Sequence, residues 1–231
     1  MAMIARRREK AFKGLPMEGI VARWYAGLRR SEGQIEERRK LASRLTGLLP
    51  DGGRVLEVAP GPGYFAIEVA RSGRFHVTGL DISRSFVEIA RENAGRAGVG
   101  VDVRLGDTAR MPFPDRSFDL VVCQAAFKNF ARPQSAIEEM HRVLRDGGTA
   151  VIQDLRRDAP DAAIDEEVRG MGLGPVNAFT TRRTLRMLRR RAYTGAQFER
   201  LAAASSFRAR ELEVSGIGIE VRLRRGPGTA T

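Results

Sequence analysis

Three carboxylates stand at the ends of apolar runs, each followed by turn-forming residues. Glu57 lies inside RVLEV at 54–58, ahead of Ala59-Pro60-Gly61-Pro62-Gly63; Asp81 closes FHVTGLD; Asp107 follows VRLG. A charge within an apolar strand needs a partner. Gly61 and Gly63 carry no Cβ, so the chain bends sharply there and a ligand approaches the backbone closely. A helix opening near Gly63 aims its free N–H groups and positive dipole end at that ligand. This is the chemistry of a nucleotide-cofactor turn. The spacing Gly61-x-Gly63-x-x-Ala66 fits the dinucleotide fingerprint, but one such match leaves the cofactor open.

The other reactive residue types are few. Cys123 is the only cysteine, which excludes an internal disulfide framework and disfavours a thiolate zinc site. His76 and His141 fall inside a predicted strand and a predicted helix and read as structural. The formal net charge is +12, and of 40 basic residues only Lys10, Lys13, Lys40 and Lys128 are lysines. A solvated basic surface is the plain reading; an anionic partner is the functional one. No apolar run approaches the ~20 residues that span a bilayer, and the basic N-terminus lacks the apolar core of a signal peptide. A cytoplasmic protein with no membrane partner is expected.

The elements that must position these groups follow from periodicity. Residues 1–14 read as a loosely docked basic arm punctuated by Gly14-Leu15-Pro16. A helix follows with Ile20, Trp24 and Leu28 at helical spacing. A second helix spans 34–49 with its leucines on one side. Strands are predicted over 55–58, 75–80, 101–105, 118–123 and 149–153, with helices over 63–72, 83–94 and 134–144; Ser83 is the N-cap of the middle one. Gly147-Gly148 ends the last in a C-cap turn. Residues 155–192 read as loop-rich and Arg-rich, with Arg182, Arg183, Arg186 and Arg189–191 on one short helix, whose Leu185 and Leu188 face inward. A helix over 195–204 and a hairpin of strands 207–214 and 217–223 close the chain. Five strands joined by helical crossovers predict an α/β, doubly wound, parallel sheet.

Taken together, the stretches VLEVAPGPGYFA, GLDIS, GDTARMPFPDRSFDLVVCQAAF and AIEEMHRVLRDGGTAVIQD, over roughly 54–154, resemble the successive motifs of class I S-adenosylmethionine-dependent methyltransferases, in the ubiquinone/menaquinone-biosynthesis style. The resemblance implies a Rossmann-like, seven-stranded, mostly parallel sheet with an antiparallel C-terminal hairpin strand and helices on both faces. It implies one domain over 1–231: a helical lid at 1–50, a cofactor core at 51–154, a substrate-lid insert at 155–192, a helix and hairpin at 193–225 and a tail at 226–231. The cofactor is then S-adenosyl-L-methionine, its product S-adenosyl-L-homocysteine, with no metal. Glu57, Ala59, Gly61 and Gly63 would hold the methionine end, with Tyr25 reaching its carboxylate. Asp81 would take the ribose hydroxyls, since open α/β sheets bind ligands at strand carboxyl ends and a charged acceptor strengthens both bonds. Ile82 would pack on the adenine, Asp107 and Thr108 would edge it, and Gln124 would line the sulfonium pocket. Phe127, Lys128 and Phe179 are the candidate acceptor contacts, Lys128 suiting an anionic substrate.

The chain also departs from the family. Ala59 replaces the first glycine of the turn, so a stiff turn with negative φ is expected there. Lys128 and Asn129 stand where relatives often carry a His pair, so no histidine base is present at that point and no catalytic residue is assigned. No Asn/Asp-Pro-Pro-Tyr motif, Pro-Cys context or acidic triad is found, which disfavours amine methylation of nucleic acids, cytosine-C5 chemistry and magnesium-dependent catechol chemistry. The function expected is methyl transfer to a small molecule by direct in-line displacement. The alternatives are an RNA methyltransferase, which the charge favours and the lack of a stacking platform opposes, and a non-catalytic cofactor-binding protein. The sequence leaves oligomeric state open, a homodimer included.

Overall fold

The computed structural model describes residues 12–13, 17–28, 32–47 and 49–227. The expectations for most of the basic arm, for Gly14-Leu15-Pro16, for Leu48, for the Leu28 side chain and for tail residues 228–231 lie outside them.

The strands are β1 (Arg54–Val58), β2 (His76–Asp81), β3 (Asp102–Leu105), β4 (Phe118–Gln124), β5 (Leu144–Leu155), β6 (Ala209–Ser215) and β7 (Gly218–Arg224). They form one sheet in the order β3-β2-β1-β4-β5-β7-β6. The first five run parallel, and β7 pairs antiparallel with β5 and with β6. The order reverses between β1 and β4, the switch point where such sheets open a ligand crevice. The sheet is therefore the doubly wound, seven-stranded one implied by the motifs, with an antiparallel hairpin at its end.

Side chains alternate across each strand. Leu56, Val58, Val121, Cys123 and Ile152 face one core, which is closed by α5 (Pro133–Val143) and α8 (Gly195–Ala203). Val55, Leu120, Val122 and Val151 face the other, closed by α2 (Glu32–Thr46) and α3 (Tyr64–Ala70). Glu57 shares the parity of Val55, so its carboxylate is directed at α3. The α4 helix (Arg84–Ala97) is capped by Ser83, whose hydroxyl accepts from Phe86 N at 3.1 Å.

Several expectations need correction. The 155–192 segment is not loop-rich: it folds into α6 (Asp161–Gly170) and α7 (Pro175–Arg189). Ile164 and Val168 of α6 pack with Ala159 and Ile217, and Leu185 of α7 leans on that cluster. Arg182 and Arg186 reach Asp165, and Arg189 reaches Asp161 at 2.8 Å, so part of the arginine run ties the two helices together. The Gly147-Gly148 segment is a bulge within β5, where the pairing slips between Phe118↔Leu144 and Leu120↔Thr149. In α1 (Gly19–Leu28), Ile20 and Trp24 point outward, 86% and 64% exposed, and Ala22 and Ala26 are the buried positions. Small alanines let α1 lie close on Phe86 and Ile89 of α4.

Phe127 opens a 3-10 turn, Phe127–Asn129, and is fully buried. Its ring lies 5.3 Å from Phe130, 5.3 Å from Phe198 and 5.5 Å from Tyr193. This cluster joins the loop after β4 to α8. Phe127→Ala is expected to cost about 3–5 kcal/mol of stability, read from urea unfolding of the two proteins.

Candidate functional site

The cavity opens at the carboxyl ends of β1, β2 and β4 and holds about 1000 Å³ including its mouth. Its floor is the turn after β1. Ala59 continues the ladder, donating N–H to Leu80 O at 2.8 Å, and then the chain turns back, with Gly63 N bonding Pro60 O at 3.0 Å. This geometry places Ala59, Gly61 and Gly63 at φ 54°, 54° and 78°. The negative φ expected at Ala59 is therefore wrong. Pro60 biases the residue before it towards extended backbone at negative φ, and the tight reversal overrides that bias and imposes a left-handed residue at 59 despite its Cβ. A Cβ on Gly63 would stand 2.9 Å from Ala90 Cβ, so glycine is required there for α3 to approach α4. A Cβ on Gly61 would meet nothing within 4 Å, which leaves open space over that amide.

Two buried carboxylates bracket the turn. Asp81 accepts from Gly61 N at 3.0 Å through one oxygen and from Ser83 N at 2.9 Å through the other. Burial pushes its pKa up to about 6, against the pull of those amides. Glu57 accepts from Ala66 N at 3.0 Å on α3. Burial raises its pKa to about 8, opposed by the Ala66 amide and the Arg38 guanidinium. Arg38, from α2, lines the cavity, with its guanidinium 5.2 Å from the centre of the Tyr64 ring. One wall is thus two hydrogen-bond acceptors and a cation, the donor and acceptor set that an amino acid and a ribose require.

Tyr25, Glu57, Ala59, Gly61, Asp81, Ile82, Thr108 and Gln124 all line this cavity. Tyr25 stands edge-on to Phe86, 5.9 Å between centroids, while its neighbour Trp24 faces outward. Gln124 Nε2 is buried there with no hydrogen-bond partner. Gly63 lies behind the turn, against α4. Asp107 holds its own loop: one oxygen accepts from Ala109 N at 2.9 Å and the other from Arg132.

The three candidate acceptor contacts do not meet at the cavity. Phe127 is core. Phe179 projects from the outer face of α7, 61% exposed. Lys128 is neither solvated nor turned to a ligand: it is 4% exposed, and its ammonium donates to Asp154 at 2.8 Å and to Ala125 O. Asp154 also accepts from Lys128 N and Leu155 N, each at 2.8 Å. This knot holds Ala125 at φ 53° and so fixes the wall formed by Gln124, Ala125, Ala126 and Asn129. Cys123 is fully buried beside it, and burial pushes its thiol up, far from a nucleophilic state.

Sequence reasoning did not assign Arg38, Met17, Asn129, Phe130 and Phe12 to the site, and they line it as well. Arg38 is one arginine of 36 on a helix that reads as solvated. Phe12 pairs as a short antiparallel bridge with Phe130, and Lys13 N donates to Asn129 O at 2.7 Å, so this part of the arm is docked across the cavity. Among the described residues no cluster of three or more His, Cys, Asp or Glu is arranged to hold a metal ion.

Two substitutions test this wall. Ala59→Gly removes a left-handed Cβ and should raise unfolding free energy by roughly 0.5–1 kcal/mol after the entropy of the added glycine is offset. Lys128→Met strands a buried carboxylate and should cost about 3–5 kcal/mol. Both are read from chemical denaturation.

Residues 56–152 match the methyltransferase domain family. The demethylmenaquinone methyltransferase of Deinococcus radiodurans is 41% identical over 103 residues, 44% of this chain and 43% of that protein. The 27-O-demethylrifamycin SV methyltransferase of Amycolatopsis mediterranei is 34% identical over 144 residues, 59% of this chain and 53% of that protein. The match thus spans about half the length of these relatives. In fold, the chain is similar to a putative S-adenosyl-L-methionine-dependent methyltransferase of Methanococcus maripaludis, with a TM-score of 0.70 at 18% identity, covering 94% of this chain and 100% of that one. The glycine turn between buried carboxylates, the reversed strand order and the matched segment agree: residues 56–152 match a methyltransferase domain, within a fold similar to that of solved S-adenosyl-L-methionine-dependent methyltransferases.

Proposed function

We propose that the protein transfers a methyl group from S-adenosyl-L-methionine to a small-molecule acceptor by direct in-line displacement. The observation that carries this reading is the pair of buried carboxylates that bracket one glycine turn, Asp81 bonded to the turn amide of Gly61 and Glu57 to the Ala66 amide of the helix that follows it. In this reading Glu57 accepts from the cofactor's ammonium, and Arg38 with Tyr25 takes its carboxylate. Asp81 accepts from the ribose hydroxyls, Ile82 packs on the adenine face and Thr108 edges it. Asp107 acts one step back, by holding the loop that carries Thr108. The unpartnered Gln124 amide faces the reacting end. The two relatives named above, whose names give small molecules as substrates, support that acceptor class over RNA. The lone buried thiol suits a reducing, cytoplasmic setting.

The sulfonium supplies an activated methyl group and a neutral thioether as leaving group. The chain's part is to align the acceptor and to exclude water. Phe12 and Phe130, bridged to each other beside the loop after β4, give the cavity apolar walls there, with Asn129 and Gln124 as its amides. An apolar ring bearing one or two oxygens fits this lining better than a highly charged acceptor, because Lys128 is already neutralised by Asp154. No side chain is assigned as base; the acceptor's proton passes to solvent before or during displacement.

Calorimetry with S-adenosyl-L-homocysteine tests the cofactor assignment. Wild type should bind, and Asp81→Asn should weaken binding about 10–100-fold, since charged acceptors contribute ~1.5–3 kcal/mol per bond. No binding by wild type, or unchanged binding by the variant, overturns it. The pH dependence follows from Glu57. Its folded pKa of about 8 lies above the model-compound value of 4.5, so the empty protein loses stability as pH rises between those values. Binding that needs the ionised carboxylate should tighten over the same interval, by roughly tenfold per pH unit at most below pH 8. Glu57→Gln should flatten that slope. Methyl transfer from labelled cofactor to a panel of phenols and quinols separates an enzyme from a cofactor-binding protein.

A further inference from the structure

The α7 helix is an anomaly among the helices: it spans fifteen residues and buries none of them. Its inner side is occupied by Ala178 and Leu185 and by the arginines bound to Asp161 and Asp165. Its outer side carries Val176, Phe179 and Met187, which are 76%, 61% and 56% exposed. Met171 and Leu173, in the turn that leads into it, are exposed as well. Among these apolar side chains stand Arg183 and Arg190, exposed and without an ion pair among the described residues.

We propose that this face docks on the anionic phospholipid surface of a membrane. A helix with apolar side chains flanked by arginines lies in the interface plane, with its apolar groups among the acyl boundary and its cations among the phosphates. Other occupants meet the chemistry only in part. A second copy related by a twofold axis would bring two faces of the same positive charge together, with no acid on either to pair with Arg183 and Arg190. The chain's own N-terminal arm carries Arg6, Arg7, Arg8, Lys10 and Lys13 against a single acid, Glu9, and is repelled by the same charges. A nucleic acid satisfies the arginines through its phosphates but leaves Val176, Phe179 and Met187 in water. An anionic bilayer satisfies both sets.

The position gives the contact a use. The α6–α7 pair leaves the carboxyl end of β5, the end at which the cavity opens. Tyr193, just past α7, packs on Phe127, and Phe127 on the Phe130 of the cavity wall. A protein seated through α7 would thus rest on the bilayer at the end of the sheet that carries its cavity. This departs from the expectation of no membrane partner, which rested on the lack of a spanning segment. The structure has no helix long and apolar enough to cross a membrane among its described residues, and an interfacial helix needs none.

Sedimentation with lipid vesicles tests the proposal on the full chain and does not depend on its catalytic assignment. Wild type should sediment with phosphatidylglycerol-containing vesicles, remain in solution with phosphatidylcholine alone, and detach as salt rises. Val176→Ser with Phe179→Ser should abolish sedimentation. Arg183→Glu with Arg190→Glu should weaken it about tenfold or more, each cation being within reach of the surface potential. All four side chains are exposed, so the melting temperature should stay at the wild-type value and separates lost docking from lost folding. The proposal fails if wild type ignores anionic vesicles, or if both double variants sediment like wild type. It fails equally if size-exclusion chromatography shows a dimer that Phe179→Ser splits while vesicles are ignored.

Discussion

The carboxylate of Asp81 joins two strands that would otherwise end independently. One oxygen takes the amide of Gly61 from the turn after β1, and the other takes the amide of Ser83 at the head of α4. Everything that shapes the cofactor wall hangs on this bridge. It fixes the height of the turn over the sheet, the start of α4, and, through Ser83 and its bond to Met17 O, the seat of the segment entering α1. A buried carboxylate is costly when its partners are lost, so the bridge selects one arrangement of three elements rather than merely stabilising it.

A second bridge mirrors it across the sheet. Asp154 ends the regular part of β5 and collects Lys128 and two backbone amides, as Asp81 collects its amides at the end of β2. The difference is the cation. Asp81 faces a cavity and keeps its charge available, with a pKa lifted to about 6. Asp154 faces an ammonium and keeps none. One wall of the cavity is thereby electrostatically open and the other closed, which divides it into a polar cofactor side and a nearly neutral side.

Much of this was legible in the sequence, because it is written locally. Glu57, Gly61, Gly63 and Asp81 sit within a strand-turn-helix repeat whose period, punctuation and charge placement read directly from neighbouring residues. The parallel, doubly wound sheet followed from the alternation of strand and helix. Contacts between distant segments were not legible. Lys128 and Asp154 are 26 residues apart and become partners only when β4 and β5 lie side by side. Arg38 reaches the site from a helix whose charges look like any solvated face. Ala59 was misread because φ is set by where the chain must go next, and Leu80 and Pro60 decide that, not the alanine. Within the insert only the arginine stretch read as helix; α6 and the first turns of α7 did not, because their few apolar residues give a weak period and their packing on Ala159 and Ile217 is a contact between distant segments.

The Lys128–Asp154 knot also bears on how such a protein changes over generations. Either charge altered alone leaves the other stranded in the interior, so single substitutions at these two positions are filtered out by stability before activity is tried. Ala126 and Asn129, which the knot positions, are only partly buried, carry no charge and line the cavity directly, whereas Phe130 is tied into the core. Variation in what this scaffold accepts is therefore channelled into two side chains on a loop whose backbone is held still. A rigid frame with a few free positions lets one wall of the cavity vary without rebuilding the carboxylate and glycine wall opposite.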